Sequence, residues 1–293
     1  HYQIIPTLFD RLAAEQGVPT RSFNAGVAGM RPPEDAYFFD LILRNPPKNL
    51  RWVFIELASI RLNMDEEKKQ TMRAQYWHDF LRMKILWQRA TLLKPASRKK
   101  QTLKRALTEL REPMGEFLEH LELFVRHHTH LGRGTILTSR LMTKVPPQPL
   151  RPSALSLGEN LAGWIPTGRP EAMNAANQLK YEQELAERRA KPAVKDLADP
   201  VSQDALEEMI RKIERLGATA VLVVPPTTGK KNFYPRPEHE RRLTILDFSD
   251  LEKYPELYAI ENRLDSDHVN TAGAEVFTRL LAQRWGEKIK VRP

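Results

Sequence analysis

Apolar residues recur along this chain with two periods, one helical and one extended. Ile5, Leu8, Phe9, Leu12 and Ala13 fall every three or four positions between Ile4 and Glu15. That is the stripe of an amphipathic helix, with Pro6 near its start and Gly17 after its end. Thr20–Asn24 reads as a short extended segment. A second helix is expected from Glu34 to about Arg44, on Tyr37, Phe38, Leu41 and Ile42, and Asn45-Pro46-Pro47 closes it. Arg51–Leu57 is a compact apolar run rich in β-branched and aromatic residues, the pattern of a buried strand. Strand, glycine-bearing loop, helix and strand in that order predict a βαβ unit and a parallel sheet.

The pattern then changes. Residues 61–200 are rich in Arg, Lys, Glu and Leu and are broken by Pro95, Pro113, Pro146-Pro147 and Pro152. Helical spacing persists at Ala74–Leu93 (Trp77, Phe80, Leu81, Ile85, Trp87) and Met114–His128 (Phe117, Leu118, Leu121, Phe124, Val125), and Val145–Arg169 is loop-like. After Pro200 the α/β rhythm returns. It comprises a helix over Ala205–Leu216, a buried strand over Ala218–Val224, a strand over Leu243–Phe248 and a helix over Ala272–Trp285. Asn270 or Thr271 is placed to cap that last helix. Residues 1–60 and 201–293 are thus expected to form two parts of one α/β domain. Residues 61–200 would be a helical insertion that covers the ligand face as a lid.

Composition narrows the picture modestly. The 293 residues are 41% hydrophobic and 28% charged, enough for one large domain or two small ones. No apolar run approaches the ~18 residues of a membrane span. No signal peptide opens the chain, which begins at His1 without a Met, so a segment is expected to precede it. Cysteine is absent, which excludes disulfides and thiolate metal sites but suits the periplasm as well as the cytosol. A net charge of +9 would suit an acidic partner such as nucleic acid, anionic lipid or an acidic polymer. The cations are interleaved with acids and carry no nucleic-acid motif, so solvated surface charge is the simpler account.

The candidate chemistry lies near the C-terminus. Asp265 and His268 stand three positions apart on the stretch leading into the last helix. There a His can act as general base on a hydroxyl, and an Asp behind it can fix its tautomer. Two plainer readings stand beside that one: acids as ordinary partners of a helix dipole, or Asp265, Asp267 and His268 as metal ligands. Open parallel sheets bind ligands at the carboxyl ends of their strands. Here those ends are Asn24–Gly29, Leu57–Ile60, Pro225–Lys231 and the Asp265/His268 loop.

Elsewhere the signals are weaker. Ser59 at a strand end is a candidate nucleophile without the Gly-x-Ser-x-Gly turn. Glu56 is a further site-lining candidate, or else the partner of a local Arg. His120, His127, His128 and His130 admit zinc, yet equally suit a helix C-terminus. Thr227–Lys231 lacks the leading Gly and following helix of a phosphate loop, so no nucleotide is expected. Lys94, Arg98, Lys99, Lys100, Lys104 and Arg105 form a basic cluster that could meet a membrane surface or simply be solvated. No cofactor or resident metal is called for.

Asn24-Ala25-Gly26-Val27-Ala28-Gly29 after a short strand, with Asp265-x-x-His268 before a C-terminal helix, resembles two blocks of the SGNH/GDSL hydrolases. Arg51–Leu57 sits where that family has its third strand. The likeness spans Ile5–Leu57 and Ala205–Trp285, and implies a flavodoxin-like α/β fold with helices on both faces. It implies a Ser-His-Asp mechanism with His268 as base, Asp265 as its orienter and Gly29 donating its N–H to an oxyanion, with Asn24 and Gly26 lining the site. The family's Ser would fall a few residues ahead of His1. Its oxyanion Asn would fall at about Ile60, where this chain has Ile. The pattern is closest to divergent members linked to acylation of cell-surface polysaccharides. The resemblance therefore implies hydrolysis or transfer of an acyl group, O-acetyl above all, on a carbohydrate outside the cytoplasm. The alternative is a non-catalytic carbohydrate-binding or assembly module on the same fold.

Overall fold

In the computed structural model, the described residues are 3–27, 29–64, 76–92, 103–129, 162–164, 173–196, 199–229, 231–240 and 242–290. The chain enters through α1 (Pro6–Glu15) and α2 (Glu34–Leu43) and reaches β1 (Trp52–Glu56). Three longer helices follow: α3 (Phe80–Leu92), α4 (Leu103–Thr129) and α5 (Ala175–Ala190). Then come β2 (Val194–Asp196), α6 (Pro200–Arg215), β3 (Thr219–Val224), β4 (Lys231–Phe233), the short α7 (Pro237–Glu240), β5 (Thr244–Asp247) and α8 (Thr271–Lys290).

The central sheet is parallel, in the order β1-β3-β5. Its register pairs Trp52 with Thr219 and Val221 with Thr244. The apolar run of β3 explains its central place, because a strand that is apolar and buried from Ala220 to Val224 needs a packed layer on both faces. Val221 and Val223 point one way, into a core with Phe9 and Ala13 of α1, Tyr181 and Leu185 of α5, and Phe277, Leu281 and Trp285 of α8. Ala220, Leu222 and Val224 point the other way, against Leu206, Met209, Ile210 and Ile213 of α6, with Ala36 and Phe39 of α2 at the margin. The protein is thus a mixed α/β fold with a parallel sheet between helical layers.

A third core lies beside this sandwich, joining Ile60 and Leu62 to Trp77, Met83, Leu86, Phe117 and Val201. It seats α3 and α4 against α6. Asp40 of α2 reinforces the seat by taking ion pairs from Arg82 of α3 and from Lys212 of α6, the latter at 2.6 Å. Helix α5, at the end of the charged stretch, belongs to the first core instead. Among the described residues, no helix is long and apolar enough to cross a membrane.

Two features differ from the sequence expectation. Thr20–Asn24 is not a strand, so the expected βαβ unit at the N-terminus does not form among the described residues. Its polar groups are satisfied by a side chain rather than a ladder. The Asp10 carboxylate accepts from the Ser22 N–H at 2.8 Å and from the Thr20 and Ser22 hydroxyls at 2.6 Å. The second difference is a small parallel pair, β2 with β4, which short mixed sequences such as Val194-Lys195-Asp196 do not announce. The basic stretch at Lys94–Lys100 and most of Val145–Arg169 lie outside the described residues, as do the side chains of Lys104, Arg105, His127 and His128 and all of His130.

Candidate active site

The loop from Ile260 to Asn270 connects a short 3-10 turn (Ile260–Asn262) to α8 at the carboxyl end of the sheet. Asn270 is the cap: its side-chain oxygen accepts the Gly273 N–H at 2.9 Å, one of the donors that a helix start leaves unsatisfied. Arg263 and Val269 form an isolated antiparallel bridge, so the residues between them make a closed loop. At its tip the Asp265 carboxylate folds back on the chain. One carboxylate oxygen accepts the N–H groups of Asp267 and His268, both at 2.8 Å.

The same carboxylate holds the imidazole. His268 Nδ1 lies 2.9 and 3.0 Å from the two Asp265 oxygens. With Nδ1 donating, Nε2 is left as the acceptor, the tautomer a general base requires. Partial burial opposes ionisation of Asp265. The bonds from the imidazole and from two backbone amides outweigh it and hold the carboxyl at about 2. That bond in turn raises His268 above its usual value against the opposing effect of burial. Asp267 has a different role. Its carboxylate accepts the Thr227 hydroxyl at 2.9 Å, which ties the tip to the loop after β3.

Glu56, the last residue of β1, stands near enough to feel the charges of both His268 and Asp267. Much of this residue meets solvent, yet protein crowds its carboxyl enough for desolvation to raise its pKa. A positive charge on His268 opposes that rise. β1 and the Asp265/His268 loop therefore converge at one end of the sheet.

The other predicted residues fall as follows. Asn24 bends into a local turn, accepting the Gly26 N–H at 3.0 Å and donating to the Ile4 carbonyl at 3.1 Å. Its own N–H donates to Ala162, so the turn at 162–163 packs against this segment. Gly29 lies in the turn between Val27 and Met30 with φ at 62°, a backbone that favours glycine. Ser59 follows β1 and is half-buried. Ile60 is buried, and its N–H donates to the Ser202 hydroxyl at 3.0 Å. That amide is engaged within the fold, away from any oxyanion role.

Metal readings fare poorly where they are described. No group of three or more His, Asp or Glu among the described residues is placed to hold an ion. Both ring nitrogens of His120 are engaged, Nδ1 with His78 at 2.8 Å and Nε2 with the Leu62 carbonyl at 2.6 Å.

No protein-family model, no curated protein and no solved structure matches the chain. What bears on function is the Asp265–His268 geometry together with the order of the motifs around it.

Gly273 offers a direct probe of that geometry. A Cβ there would stand 2.1 Å from the Asn262 carbonyl oxygen and 2.8 Å from Val269 Cβ, at the root of the loop. Gly273→Ala must push the loop off α8. We expect urea unfolding to show a loss of about 1–3 kcal/mol, the usual cost of overpacking. A variant as stable as the parent would mean that the loop is not seated this tightly.

Proposed function

We propose that Asp265 and His268 are the orienter and general base of an SGNH-type site that hydrolyses or transfers an acyl group, with an O-acetylated carbohydrate as the substrate class. The observation that carries this reading is the 2.9 Å contact of His268 Nδ1 with a carboxylate held ionised, at the carboxyl end of a parallel sheet. In such chemistry a hydroxyl nucleophile faces Nε2. The base takes its proton as the acyl bond forms and returns it to the leaving alcohol. The reading assigns Gly29 as an oxyanion donor, and the labelling below identifies the serine that faces Nε2. The order β1-β3-β5 with α1 and α8 on one face and α2 and α6 on the other is compatible with a flavodoxin-like sheet.

One observation favours the second reading, a carbohydrate-binding module without turnover: the Ile60 amide is committed to Ser202 where the family carries its oxyanion Asn. Loss of one such donor typically costs on the order of a hundredfold or more. A fluorophosphonate probe separates the two readings. Full-length protein should be labelled on a single serine, with labelling abolished by His268→Ala. Absence of labelling and of ester turnover, with retained sugar binding, would decide for the module.

The pair also predicts a pH profile. Only neutral His268 accepts a proton, so kcat/KM should rise with pH through a midpoint above the ordinary 6.5, because Asp265 raises it. Asp265→Asn should move that midpoint down. Stability carries the two opposite signs. His268, raised on folding, stabilises fully below 6.5, and its contribution fades as pH rises through the folded value. Asp265, depressed on folding, stabilises above 3.8, and its contribution fades as pH falls towards about 2. The melting-temperature gap between the parent and His268→Ala should therefore be widest between those limits. A gap that does not change with pH would argue against the pairing.

A further inference from the structure

Arg263 is fully buried, an unusual place for a guanidinium. Its environment explains how it is tolerated. Nη1 donates to the Pro226 carbonyl at 2.9 Å, Nε to the Asp265 carbonyl at 3.1 Å, and Nη2 to the Ser266 carbonyl. The rings of Tyr181 and Tyr258 lie 5.6 and 6.0 Å from its central carbon, supplying two π faces. Burial still depresses its pKa, so the fold holds this cation against a desolvation cost.

The contacts are specific in what they fasten. Two of the three carbonyls belong to the tip of the Asp265/His268 loop, and the third to the loop after β3. Arg263 itself bridges to Val269 on the returning strand of the loop. Tyr181 brings in α5, its hydroxyl donating to the Tyr258 carbonyl at 2.8 Å. The Thr228 hydroxyl adds a second tie to α5 through Glu184 at 2.8 Å.

We propose that Arg263 is the positioning residue of the Asp265–His268 pair. With the Asp265 and Ser266 carbonyls drawn inward to the guanidinium, the Asp265 carboxylate is left to face the His268 amide and ring. Lysine could not replace it, since one ammonium lacks the planar fork that reaches three carbonyls at once. This inference rests on the proton-transfer reading above for its functional meaning.

The test is His268 itself, followed through its ring protons by NMR during a pH titration of the full-length protein, in Arg263→Met and Arg263→Lys. Charge and position predict opposite signs. The charged groups facing His268 are Asp265 and Asp267, which raise its pKa, the Arg263 cation, which lowers it, and Glu56 of β1, which stays in place in every variant. Removing the cation alone must therefore raise the midpoint. Removing the fastening must lower it towards the ordinary 6.5, because the Asp265 contact loosens. We expect the midpoint to fall in Arg263→Met, with hydrogen exchange at the Asp267 and His268 amides faster by roughly tenfold or more. Arg263→Lys keeps the charge and loses the planar fork, so its midpoint should fall without the opposing rise, at least as far as in Arg263→Met.

A folded Arg263→Met with an unchanged or raised midpoint overturns the proposal. Should that variant fail to fold, Arg263→Lys decides: unchanged titration and amide protection there overturn it equally. Failure of the catalytic reading looks different. In that case His268 of the parent would titrate at its ordinary value and ignore Asp265→Asn, whatever Arg263 does to the loop.

Discussion

Replacing His268 with alanine in the full-length protein is expected to lower turnover of a short acyl ester or an O-acetylated sugar by roughly a thousandfold or more. A hydroxyl holds its proton far above neutral pH and attacks a carbonyl slowly unless a base takes that proton in the transition state. His268 is placed for the task because its other nitrogen is committed to Asp265 at 2.9 Å. Asp265→Asn should cost on the order of a hundred- to ten-thousandfold, since an amide can select the wrong tautomer. Asp267→Asn serves as the internal control. Its carboxylate binds Thr227 rather than the imidazole, so activity should change only a few-fold, on the order of a surface hydrogen bond. Activity of His268→Ala within tenfold of the parent would end the assignment of a base at this position.

The largest effect on stability is expected at Trp285. This side chain is fully buried and meets Phe9 of α1 at 5.1 Å, Trp52 of β1 at 5.0 Å and Phe54 at 6.2 Å between ring centroids. One residue of α8 thus joins the first helix, the edge strand and the last helix. Trp285→Ala should cost about 3–5 kcal/mol, the range for emptying a large aromatic site. Domains of this kind have roughly 5–15 kcal/mol in all, so the variant should sit near its unfolding threshold. Trp285→Phe should cost less, because it keeps a ring and removes an indole N–H that has no partner in the core. Urea midpoints provide the comparison. A loss below about 1 kcal/mol for the alanine variant would show that the cavity collapses or that the ring is not central.

How far the sequence announces this fold depends on the range of the interactions. The helices at residues 6–15 and 271–290 and the strands at 52–56 and 219–224 follow from local periodicity, and so are legible. The same holds for Asp265 and His268, because a three-residue spacing before a capped helix leaves few ways to arrange them. Thr20–Asn24 misleads because extended character is local while a strand needs a neighbour, and here Asp10 supplies the hydrogen bonds instead. Arg263 is the clearest omission. In Glu261-Asn262-Arg263-Leu264-Asp265 it looks like one more surface charge. What buries it, Tyr181 and the Pro226 carbonyl, is distant in the chain and carries no local trace. The His78–His120 pair is hidden for the same reason.

Placing β1 beside β3 has a kinetic consequence. The two strands are neighbours in the sheet but are separated by roughly 160 residues, a closure whose entropy must be met before any of their hydrogen bonds can form. By contrast, α6, β3, β5 and α8 follow one another closely and bury apolar faces together. Contacts near in sequence form sooner than distant ones. Refolding should therefore begin in the C-terminal third, with β1 and α1 docking late onto a preformed surface. In a ribosome-bound chain that surface emerges after α1 and β1, which must wait for it. A hydrophobic edge strand that waits for its partner is where aggregation would start, and Val53 and Phe54 are the residues to watch.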